Sequence, residues 1–292
     1  MTLAATIIIP LRRQRDAWLE QCVLSAVGQS ASCETLVVRA ADAPPANLAL
    51  LERLAQEWGN LRLMVAEQPG SFPARINQRI RHARAERIGL LLSDDWLDRE
   101  AVAHCLPIDA DIVCTRHTVY YADGVTVLQG ASKTLTTVLQ GASKTLTMRD
   151  YLNLPTLEAK ARYLDHFFFF RKAALSEAGG LDETIGNFPG IDDYDLIWTL
   201  LERGASVAIV EHRLYNYRDH DGERLTLADP AQAARNLEKI LRKHGMGESE
   251  IPAMVRKASR WFGKPYYKVL AAEPDQGFVA TPAGRGWRRP ID

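Results

Sequence analysis

The sequence has no excess of charge of either sign and no long apolar run. Its 292 residues include 36 Lys plus Arg and 36 Asp plus Glu, so the formal net charge at pH 7 is zero. Nucleic-acid-binding domains usually carry a strong basic excess, and we therefore expect no nucleic-acid partner. No apolar stretch approaches the roughly 18 residues that a membrane-spanning helix needs. The first apolar run is followed, not preceded, by its arginines, unlike a signal peptide, so we predict a cytoplasmic protein.

The sequence also has few cysteines and lacks several well-known catalytic motifs. Its four cysteines are Cys22, Cys33, Cys105 and Cys114, and they form no CxxC pair. This argues against a zinc site and fits a reducing compartment better than a disulfide framework. The chain contains no GxxxxGKS, GxSxG or HExxH motif, which argues against a P-loop, an α/β-hydrolase nucleophile and a zinc protease.

Short apolar runs alternate with segments of helical spacing over the first part of the chain. The runs are Thr6–Ile9, Thr35–Val38, Leu61–Val65 and Ile88–Leu92, and the helical segments are Asp16–Gln29, Ala46–Trp58 and Ala74–Ala83. This alternation predicts βαβ units, and hence an α/β fold with a Rossmann-like, mostly parallel sheet flanked by helices. Ligands of such sheets bind beyond the carboxyl ends of the strands, which is where we look for chemistry.

The later part of the chain continues this pattern less regularly. Further strands are predicted at Asp111–Cys114, Phe167–Phe170, Val207–Val210 and Leu214–Tyr217, and further helices at Asp98–Cys105, Lys172–Ala178 and Asp192–Arg203. Alternation in His117–Leu128 around Asp123-Gly124 predicts a hairpin. Thr126–Thr136 is repeated without change as Thr137–Thr147, which indicates a recent tandem duplication in a surface loop or hairpin.

Two helices after residue 228 predict a helical extension. The first runs from Asp229 to about His244, with Pro230 at its first helical position, and the second spans Glu250–Trp261. We therefore divide the chain into a catalytic unit, residues 1–227, and a C-terminal helical extension with its tail, residues 228–292.

Two acidic groups and one basic group are the candidates for chemistry. Asp94 and Asp95 follow an apolar strand, where adjacent carboxylates would favour a hard divalent cation such as Mg²⁺ or Mn²⁺. The alternative is a solvated turn that begins the next helix. The second group is Asp192, Asp193 and Asp195, which could supply a general base or simply cap a helix.

The basic group lies in the segment YNYRDHDGERLT, after the last predicted strand. Its Arg218, His220 and Arg224 could meet a diphosphate or complete a metal shell. The alternative is an ordinary polar loop.

The order of these motifs resembles the family-2 inverting glycosyltransferases of the GT-A fold. The likeness rests on the strand end IIIP with the helix WLEQCVLSAVGQS, on PGSFPARINQRIRHARAERIGLLLSDDWLD, and on FFFFRKAALSEAGGLDETIGNFPGIDDYDLIWTLLERGASVAIVEHRLYNYRDH. The second run carries Gly70, Ala74 and Asn77 in the spacing of the family. The resemblance covers roughly residues 4 to 225 and implies a fold of GT-A type.

The resemblance also implies a reaction. A sugar would pass from a nucleoside-diphosphate donor, with a UDP-sugar expected, to an acceptor hydroxyl with inversion. Asp94 and Asp95 would hold Mn²⁺ or Mg²⁺ against the diphosphate, and His220 would join the metal or the diphosphate. Asp193 would take the proton from the acceptor, with Asp192 as the alternative base.

The same resemblance places the nucleotide beside the first two strands. The residues expected to border it are Pro10, Leu11, Arg13, Asp42, Arg75 and Asp94. Two departures from the family pattern stand out. Arg39 and Ala40 occupy places after the second strand where the family usually has acids, and Leu92 replaces an acid two positions before Asp94.

Two other functions stay open at this point. A nucleotidyltransferase would need a glycine-rich loop after the first strand, where LRRQRD has arginines but no glycine. A non-catalytic relative that binds a nucleotide or glycan is the second, because Arg39 and Leu92 replace family acids.

The expected partners follow from the resemblance. They are the nucleotide-sugar donor and a glycan or lipid-linked acceptor, in bacterial surface polysaccharide or glycolipid assembly. The tail residues Arg285, Trp287, Arg288 and Arg289 could rest on an anionic membrane, giving a peripheral location at its inner face, or form a disordered tail. A homodimer is left open.

Overall fold

The computed structural model of the protein describes most of the chain. The described residues are 3–66, 71–130, 147–164, 166–185, 192–222, 229–259, 262–265, 268 and 278–282. Gly70, Arg224 and the four tail residues named above therefore lie outside them, as does most of the duplication.

The described elements alternate in the order expected for an α/β protein. The strands are β1 (Ala5–Leu11), β2 (Cys33–Arg39), β3 (Leu61–Val65), β4 (Arg87–Leu90), β5 (Trp96–Leu97), β6 (Ile112–Tyr121), β7 (Thr126–Gly130), β8 (Phe168–Arg171), β9 (Val207–Asp219) and β10 (Phe278–Pro282). The helices are α1 (Asp16–Val27), α2 (Pro45–Glu57), α3 (Phe72–His82), α4 (Ala101–Cys105), α5 (Met148–Leu152), α6 (Leu157–Tyr163), α7 (Lys172–Ala178), α8 (Asp192–Glu202), α9 (Pro230–Lys243) and α10 (Ile251–Ser259).

All these strands join one sheet whose first half is parallel. β1 lies between β2 and β4, with β3 beyond β2, and all three pairings are parallel. The predicted βαβ units are therefore confirmed. The second half is mixed, because β8 lies antiparallel between β4 and β6. β9 runs parallel to β6, and β5 pairs antiparallel with β9.

The sheet separates two hydrophobic clusters. Successive residues of β1 point to opposite faces, so that Ile7 and Ile9 join one cluster and Ile8 the other. The first cluster includes buried residues of α1, α2 and α4, and the second includes those of α3 and α5 to α10. Both faces of β1 are therefore covered, which explains its unbroken apolar sequence.

Several elements differ from the sequence prediction. The strands predicted at Val207–Val210 and Leu214–Tyr217 form one strand, β9, whose register against β6 shifts on either side of Arg116. The helix expected over Asp98–Cys105 is shorter and begins at Ala101. The two-residue strand β5 and the short helices α5 and α6 have no clear periodicity in the sequence.

The C-terminal helices were predicted close to where they occur. Leu237, Ile240 and Leu241 of α9 are buried in the second cluster together with residues of α8. The boundary proposed at residue 227 stays a prediction, because residues 223–228 lie outside the described part. Among the described helices, none combines the length and apolarity needed to cross a membrane.

Candidate functional site

The acidic turn, residues 92–97, follows β4 at the carboxyl edge of the parallel strands. Helix α1 holds its two ends. Cys22 Sγ donates a hydrogen bond to the Leu92 carbonyl at 3.2 Å, and the Leu97 N–H donates to Ser25 Oγ at 3.1 Å. On the other side, β5 pairs with β9. The turn is thus held from two directions before any ligand binds.

Asp95 faces inward from the acidic turn. Its residue is 1% exposed, and each carboxylate oxygen accepts a hydrogen bond. The Tyr215 hydroxyl donates to Oδ2 at 2.5 Å, and the Arg218 backbone N–H donates to Oδ1 at 2.7 Å. Burial, and next the charge of Asp95, raises the pKa of Tyr215 well above its ordinary value, so the hydroxyl keeps the proton that it donates.

Asp94 faces the opposite way and reaches solvent. Its side chain is 17% exposed, and its Oδ2 lies 3.1 Å from His220 Nε2. The Gly222 N–H donates to His220 Nδ1 at 3.1 Å. Since Nδ1 accepts, a neutral His220 carries its proton on Nε2 and donates it to Asp94. The structure brings these two residues together although they are 126 positions apart, and their predicted role at a metal stays a prediction.

Arg218 lies behind the acidic turn rather than in front of it. It is 2% exposed, and its Nε donates to the Asp94 backbone carbonyl at 2.9 Å. Its guanidinium carbon lies 4.8 Å from the ring centroids of both Trp18 and Trp96. The sequence hypothesis that Arg218 meets a diphosphate does not fit this position, because the guanidinium is buried and already bound to the protein.

Of the residues expected to border the nucleotide, Pro10, Leu11, Arg13 and Asp42 lie at or after the ends of β1 and β2, whereas Arg75 belongs to α3 and Asp94 to the acidic turn. Arg12 Nε and Asp42 Oδ2 are 3.8 Å apart, and both side chains are well exposed. Burial and the nearby charge of Arg12 lower the pKa of Arg75, while Asp42 raises it, so these three charges are neighbours. Leu11 is 2% exposed, and its carbonyl accepts a hydrogen bond from the Ala40 N–H at 2.8 Å.

Pro10 and Arg13 stand on either side of this strand end. Pro10 is half-buried and Arg13 is exposed. The structure thus groups Arg12, Asp42 and Arg75, and the role of Pro10, Leu11 and Arg13 at a nucleotide stays a prediction.

The second acidic group begins α8. The Asp193 carboxylate accepts a hydrogen bond from the Tyr194 N–H at 2.8 Å. Burial, and next the charge of Asp193, raises the pKa of Asp192 to about 8. Two like charges at one helix end therefore hold a proton near neutral pH, which a simple cap would not require.

Asp195 belongs to a different set of contacts. It is 1% exposed, and its two oxygens face Lys243 Nζ at 2.7 Å and His244 Nε2 at 3.0 Å. Lys243 also donates to Asp182 at 2.9 Å. The third acid of the group thus connects α8 with the end of α9.

Two motifs that carried the family resemblance meet in the structure. Asn77 in α3 accepts a hydrogen bond from the Leu181 N–H and donates to the Leu181 carbonyl, both at 2.8 Å. Gly180 directly precedes Leu181 and has a φ of 74°. A Cβ at this position would come 2.1 Å from Asn77 Oδ1. The Ala-x-Asn run and the Gly-Gly-Leu-Asp turn are therefore complementary parts of one contact.

Sequence reasoning missed two aromatic contributions to the site. Tyr215 holds Asp95, and the Trp18 ring lies 4.6 Å from the His220 ring. Both residues occur inside quoted motifs, WLEQCV and YNYRDH. Their aromatic character at a polar edge of the sheet was the one signal available.

Comparison of sequences gives a distant relative. The chain matches no protein-family model. It is 23% identical over 280 residues to the O-antigen biosynthesis protein RfbC of Myxococcus xanthus, which covers 93% of this chain. The chain spans 21% of the length of that protein.

Comparison of structures gives clearer neighbours. S. aureus TarS 1–349 in complex with UDP-GlcNAc matches with a TM-score of 0.58 and 15% identity, over 88% of this chain and 72% of TarS. The mannosyltransferase PcManGT of Pyrobaculum calidifontis, in complex with GDP-Man and Mn²⁺, matches with 0.57 and 15%, over 96% and 77%. GalNAc-T7 with UDP, GalNAc and Mn²⁺ matches with 0.59 and 12%, over 82% and 48%.

These neighbours are GT-A glycosyltransferases, and the chain shares their fold. The GT-A fold predicted from the sequence is thereby confirmed. TarS, PcManGT and GalNAc-T7 were crystallised with nucleotides or nucleotide sugars, and at 12–15% identity this likeness shows the fold of the chain.

Proposed function

We propose that this chain is a metal-dependent, inverting glycosyltransferase that moves a sugar from a nucleoside diphosphate to an acceptor hydroxyl. The observation that carries the proposal is the pairing of Asp94 with His220 at the carboxyl edge of β4, within a GT-A fold. Ligands of open α/β sheets bind at this edge. The relative in O-antigen biosynthesis and the neighbours crystallised with UDP-GlcNAc or GDP-Man support the same class of donor.

Asp94 is the residue best placed to hold a divalent cation. In the described part of the chain, no three His, Cys, Asp or Glu side chains converge into a complete metal site. Mg²⁺ and similar ions are often held by one or two carboxylates, with substrate phosphates and water completing the shell. The partly exposed carboxylate of Asp94 beside His220 fits this pattern. A bound cation would neutralise the negative charge that develops on the leaving diphosphate.

Asp95 and His220 take supporting places in this proposal. Asp95 already accepts one hydrogen bond on each oxygen inside the protein, so a direct bond to the cation would use its remaining lone pairs. His220 orients the Asp94 carboxylate through its Nε2–H, and a contact of His220 with the diphosphate stays a prediction from the sequence. Direct metal ligation by either residue stays a prediction from the sequence.

The nucleotide would lie along the ends of β1 and β2. Arg12 and Arg75 there stand beside a single carboxylate, Asp42. A guanidinium donates hydrogen bonds in a planar fork that suits phosphate and carbonyl oxygens. The arginines would bind the anionic or acceptor groups of the nucleotide, and Asp42 would accept from its ribose or base.

Asp193 is the proposed general base, with Asp192 as the alternative. Burial, and next the charge of Asp193, raises the pKa of Asp192 well above its ordinary value, which favours Asp193 as the ionised member of the pair. Asp193 would take the proton from the acceptor hydroxyl as that oxygen attacks the anomeric carbon. The acceptor itself is a glycan or a lipid-linked glycan, as in surface polysaccharide assembly.

A thermal-shift titration tests the donor and the cation together. UDP and GDP are each added to the full chain in Mn²⁺ and in EDTA, and the melting temperature is recorded. Binding to the folded state at about 100 times Kd would stabilise it by about 2.7 kcal/mol. We expect the larger shift in Mn²⁺, and we expect Asp94→Asn to remove the difference between Mn²⁺ and EDTA.

The matched control is Asp98→Asn, which changes an exposed carboxylate just after the acidic turn. It should keep the Mn²⁺-dependent shift of the unaltered chain. No shift with either diphosphate in Mn²⁺ would contradict the proposal. A normal shift without sugar transfer to any glycan acceptor would instead favour the non-catalytic relative.

A further inference from the structure

Arg218 is a fully buried cation for which the proposed reaction has no direct use. Its guanidinium donates hydrogen bonds to three different parts of the fold. Nε donates to the Asp94 carbonyl at 2.9 Å, Nη1 donates to the Ala122 carbonyl at 3.0 Å, and Nη2 donates to Gln21 Oε1. The Arg218 side chain therefore connects the acidic turn with the hairpin between β6 and β7 and with α1.

The backbone of Arg218 adds a fourth contact. Its N–H donates to Asp95 Oδ1 at 2.7 Å, so one residue fixes a backbone atom of Asp94 and a side-chain atom of Asp95. These two contacts act on adjacent residues whose side chains point in opposite directions. Together they limit rotation of the turn, and rotation would move the Asp94 carboxylate away from His220.

The surroundings of the guanidinium leave it little freedom. Trp18 and Trp96 flank it, each ring centroid 4.8 Å from its central carbon, an arrangement that favours a cation. At the hairpin, Gly124 has a φ of 68°, and a Cβ there would lie 2.7 Å from Arg218 Nη1. The hairpin glycine thus meets two demands, a left-handed backbone and room for the guanidinium.

We infer that Arg218 is a positioning residue, which fixes the acidic turn so that Asp94 faces the cation and diphosphate. The inference rests on the proposed function for what Asp94 binds, but the contacts themselves do not depend on a ligand. A lysine cannot replace Arg218, since its single nitrogen cannot reach acceptors on three elements at once. A mutated partner behind a metal ligand typically lowers metal affinity by about 10–100-fold.

The first test compares Arg218→Lys with Arg87→Lys. Arg87 is a matched control because it also donates to two backbone carbonyls, those of Ala110 and Ile108, but at the opposite end of β4. Amide hydrogen exchange of residues 92–98 is measured on metal-free protein. We expect faster exchange in Arg218→Lys and unchanged exchange in Arg87→Lys, and equal protection in the two variants would overturn the inference.

The second test measures Mn²⁺ affinity by the paramagnetic signal of the free ion. Arg218→Lys should bind Mn²⁺ at least 10-fold more weakly, while Arg87→Lys should match the unaltered chain. An unchanged affinity in Arg218→Lys would also overturn the inference. If the unaltered chain itself bound no Mn²⁺, the proposed function would fail, and the hydrogen-exchange result would still decide the role of Arg218.

A glycine pair separates the contact with Arg218 from backbone strain. Gly124→Ala introduces a Cβ against the guanidinium, whereas Gly204→Ala introduces one at a φ of 81° with nothing within 4 Å. Both variants carry the same kind of backbone strain. Only Gly124→Ala should speed exchange in the acidic turn, and the same increase in both would show that strain alone was responsible.

Discussion

At the scale of single residues, the two acidic pairs of this chain have different surroundings. Asp95 is buried with a hydrogen bond on each oxygen, whereas Asp94 is open to solvent beside His220. Asp192 and Asp193 begin a helix together, and burial with the adjacent charge raises the pKa of Asp192 to about 8. The first pair therefore separates a structural carboxylate from an accessible one. The second pair combines Asp192, a carboxyl group with a raised pKa, with the neighbouring carboxylate of Asp193.

Asp193→Asn tests the general base. Asn keeps the size of the side chain and its ability to accept from the Tyr194 N–H, so folding should survive. It cannot take a proton, and we expect turnover to fall by roughly 10²–10⁴, the usual contribution of a general base. Rates are measured with saturating donor and a verified acceptor, beside Asp192→Asn. Near-normal turnover in both variants would place the base elsewhere.

The raised pKa of Asp192 predicts how stability changes with pH. An unfolded Asp has a pKa of about 3.9, so from about pH 4 to pH 8 the folded state holds a proton that the unfolded state has lost. The stabilisation that comes from this bound proton is complete below pH 4 and is lost as the pH rises through 8. Asp192→Asn lacks this titration, and its melting temperature should therefore rise relative to the unaltered chain between pH 5 and pH 9.

The measurement is a set of melting curves in EDTA from pH 5 to pH 9. Asp98→Asn serves as the control, because Asp98 is exposed. Its difference from the unaltered chain should stay nearly constant over this range. A constant difference in melting temperature for Asp192→Asn as well would show that the pKa of Asp192 is not raised in the folded protein.

The sequence indicated Asp94 and His220 but not the residues behind them. Position after an apolar strand marked Asp94 and Asp95 as candidates, because strand ends meet at one edge of a parallel sheet, and the family resemblance assigned both to a metal. The role of Tyr215 depends on the register of β9 against β6, which shifts at two steps around Arg116. A bulge of this kind leaves no periodic signal, so the inward direction of Tyr215 and Arg218 could not be predicted.

At the scale of elements, contacts between side chains connect α8 with α9. Lys243 Nζ donates to Asp195 in α8 and to Asp182 in the turn after α7. Burial lowers the pKa of Lys243, but the hydrogen bonds to Asp195 and Asp182 raise it by more, so the pKa is raised overall. His244 lies flat on Trp198, with ring centroids 4.3 Å apart. The helix that begins with the proposed base is thus fixed from the C-terminal part of the chain.

Asp195→Ala should lower stability much more than it lowers catalysis. It leaves Lys243 and His244 without the Asp195 carboxylate, and leaving a buried donor without its acceptor costs about 1–3 kcal/mol. Lys243 is partly exposed and keeps Asp182 as a partner, so most of this cost falls on the buried His244.

The control is Glu248→Ala, which breaks an exposed pair with Arg242 and should leave stability nearly unchanged. Urea unfolding gives both values. Equal losses in the two variants would contradict the buried role of Asp195.

The elements of the parallel half were predicted more completely than the rest. Short apolar runs such as Thr6–Ile9, together with helices of clear spacing, indicate β1 to β4 and α1 to α3. The short elements β5, α5 and α6 contain too few residues to show a period. The position of β8 between β4 and β6 could not be predicted either, because the alternation of apolar residues does not reveal strand direction.

At the scale of the whole molecule, the C-terminal helices share the core of the sheet domain. Leu237 is 6% exposed, and Ile240 and Leu241 are 0% exposed, within the cluster that also contains Leu200 and Leu201 of α8. Burial of three such side chains contributes about 5–9 kcal/mol. A domain of ordinary stability has only about 5–15 kcal/mol in total. The surface that these helices cover is therefore a large part of what keeps the sheet domain folded.

Truncation after residue 227 should for this reason destabilise the sheet domain rather than release an intact one. The cut removes α9, α10 and the edge strand β10, exposes the second cluster beside α8, and deletes the Lys243 partner of Asp195. A second truncation after residue 247 keeps α9 and serves as the control. Circular dichroism and urea unfolding of both forms give the comparison.

We expect the shorter form to lose at least about 5 kcal/mol or its cooperative transition, because its exposed apolar surface is the larger. The form that ends at 247 should keep a cooperative transition, since α9 alone supplies Leu237, Ile240, Leu241 and Lys243. A stable, cooperative fragment 1–227 would show instead that the two parts fold independently, and that α9 contributes little to the position of the proposed base.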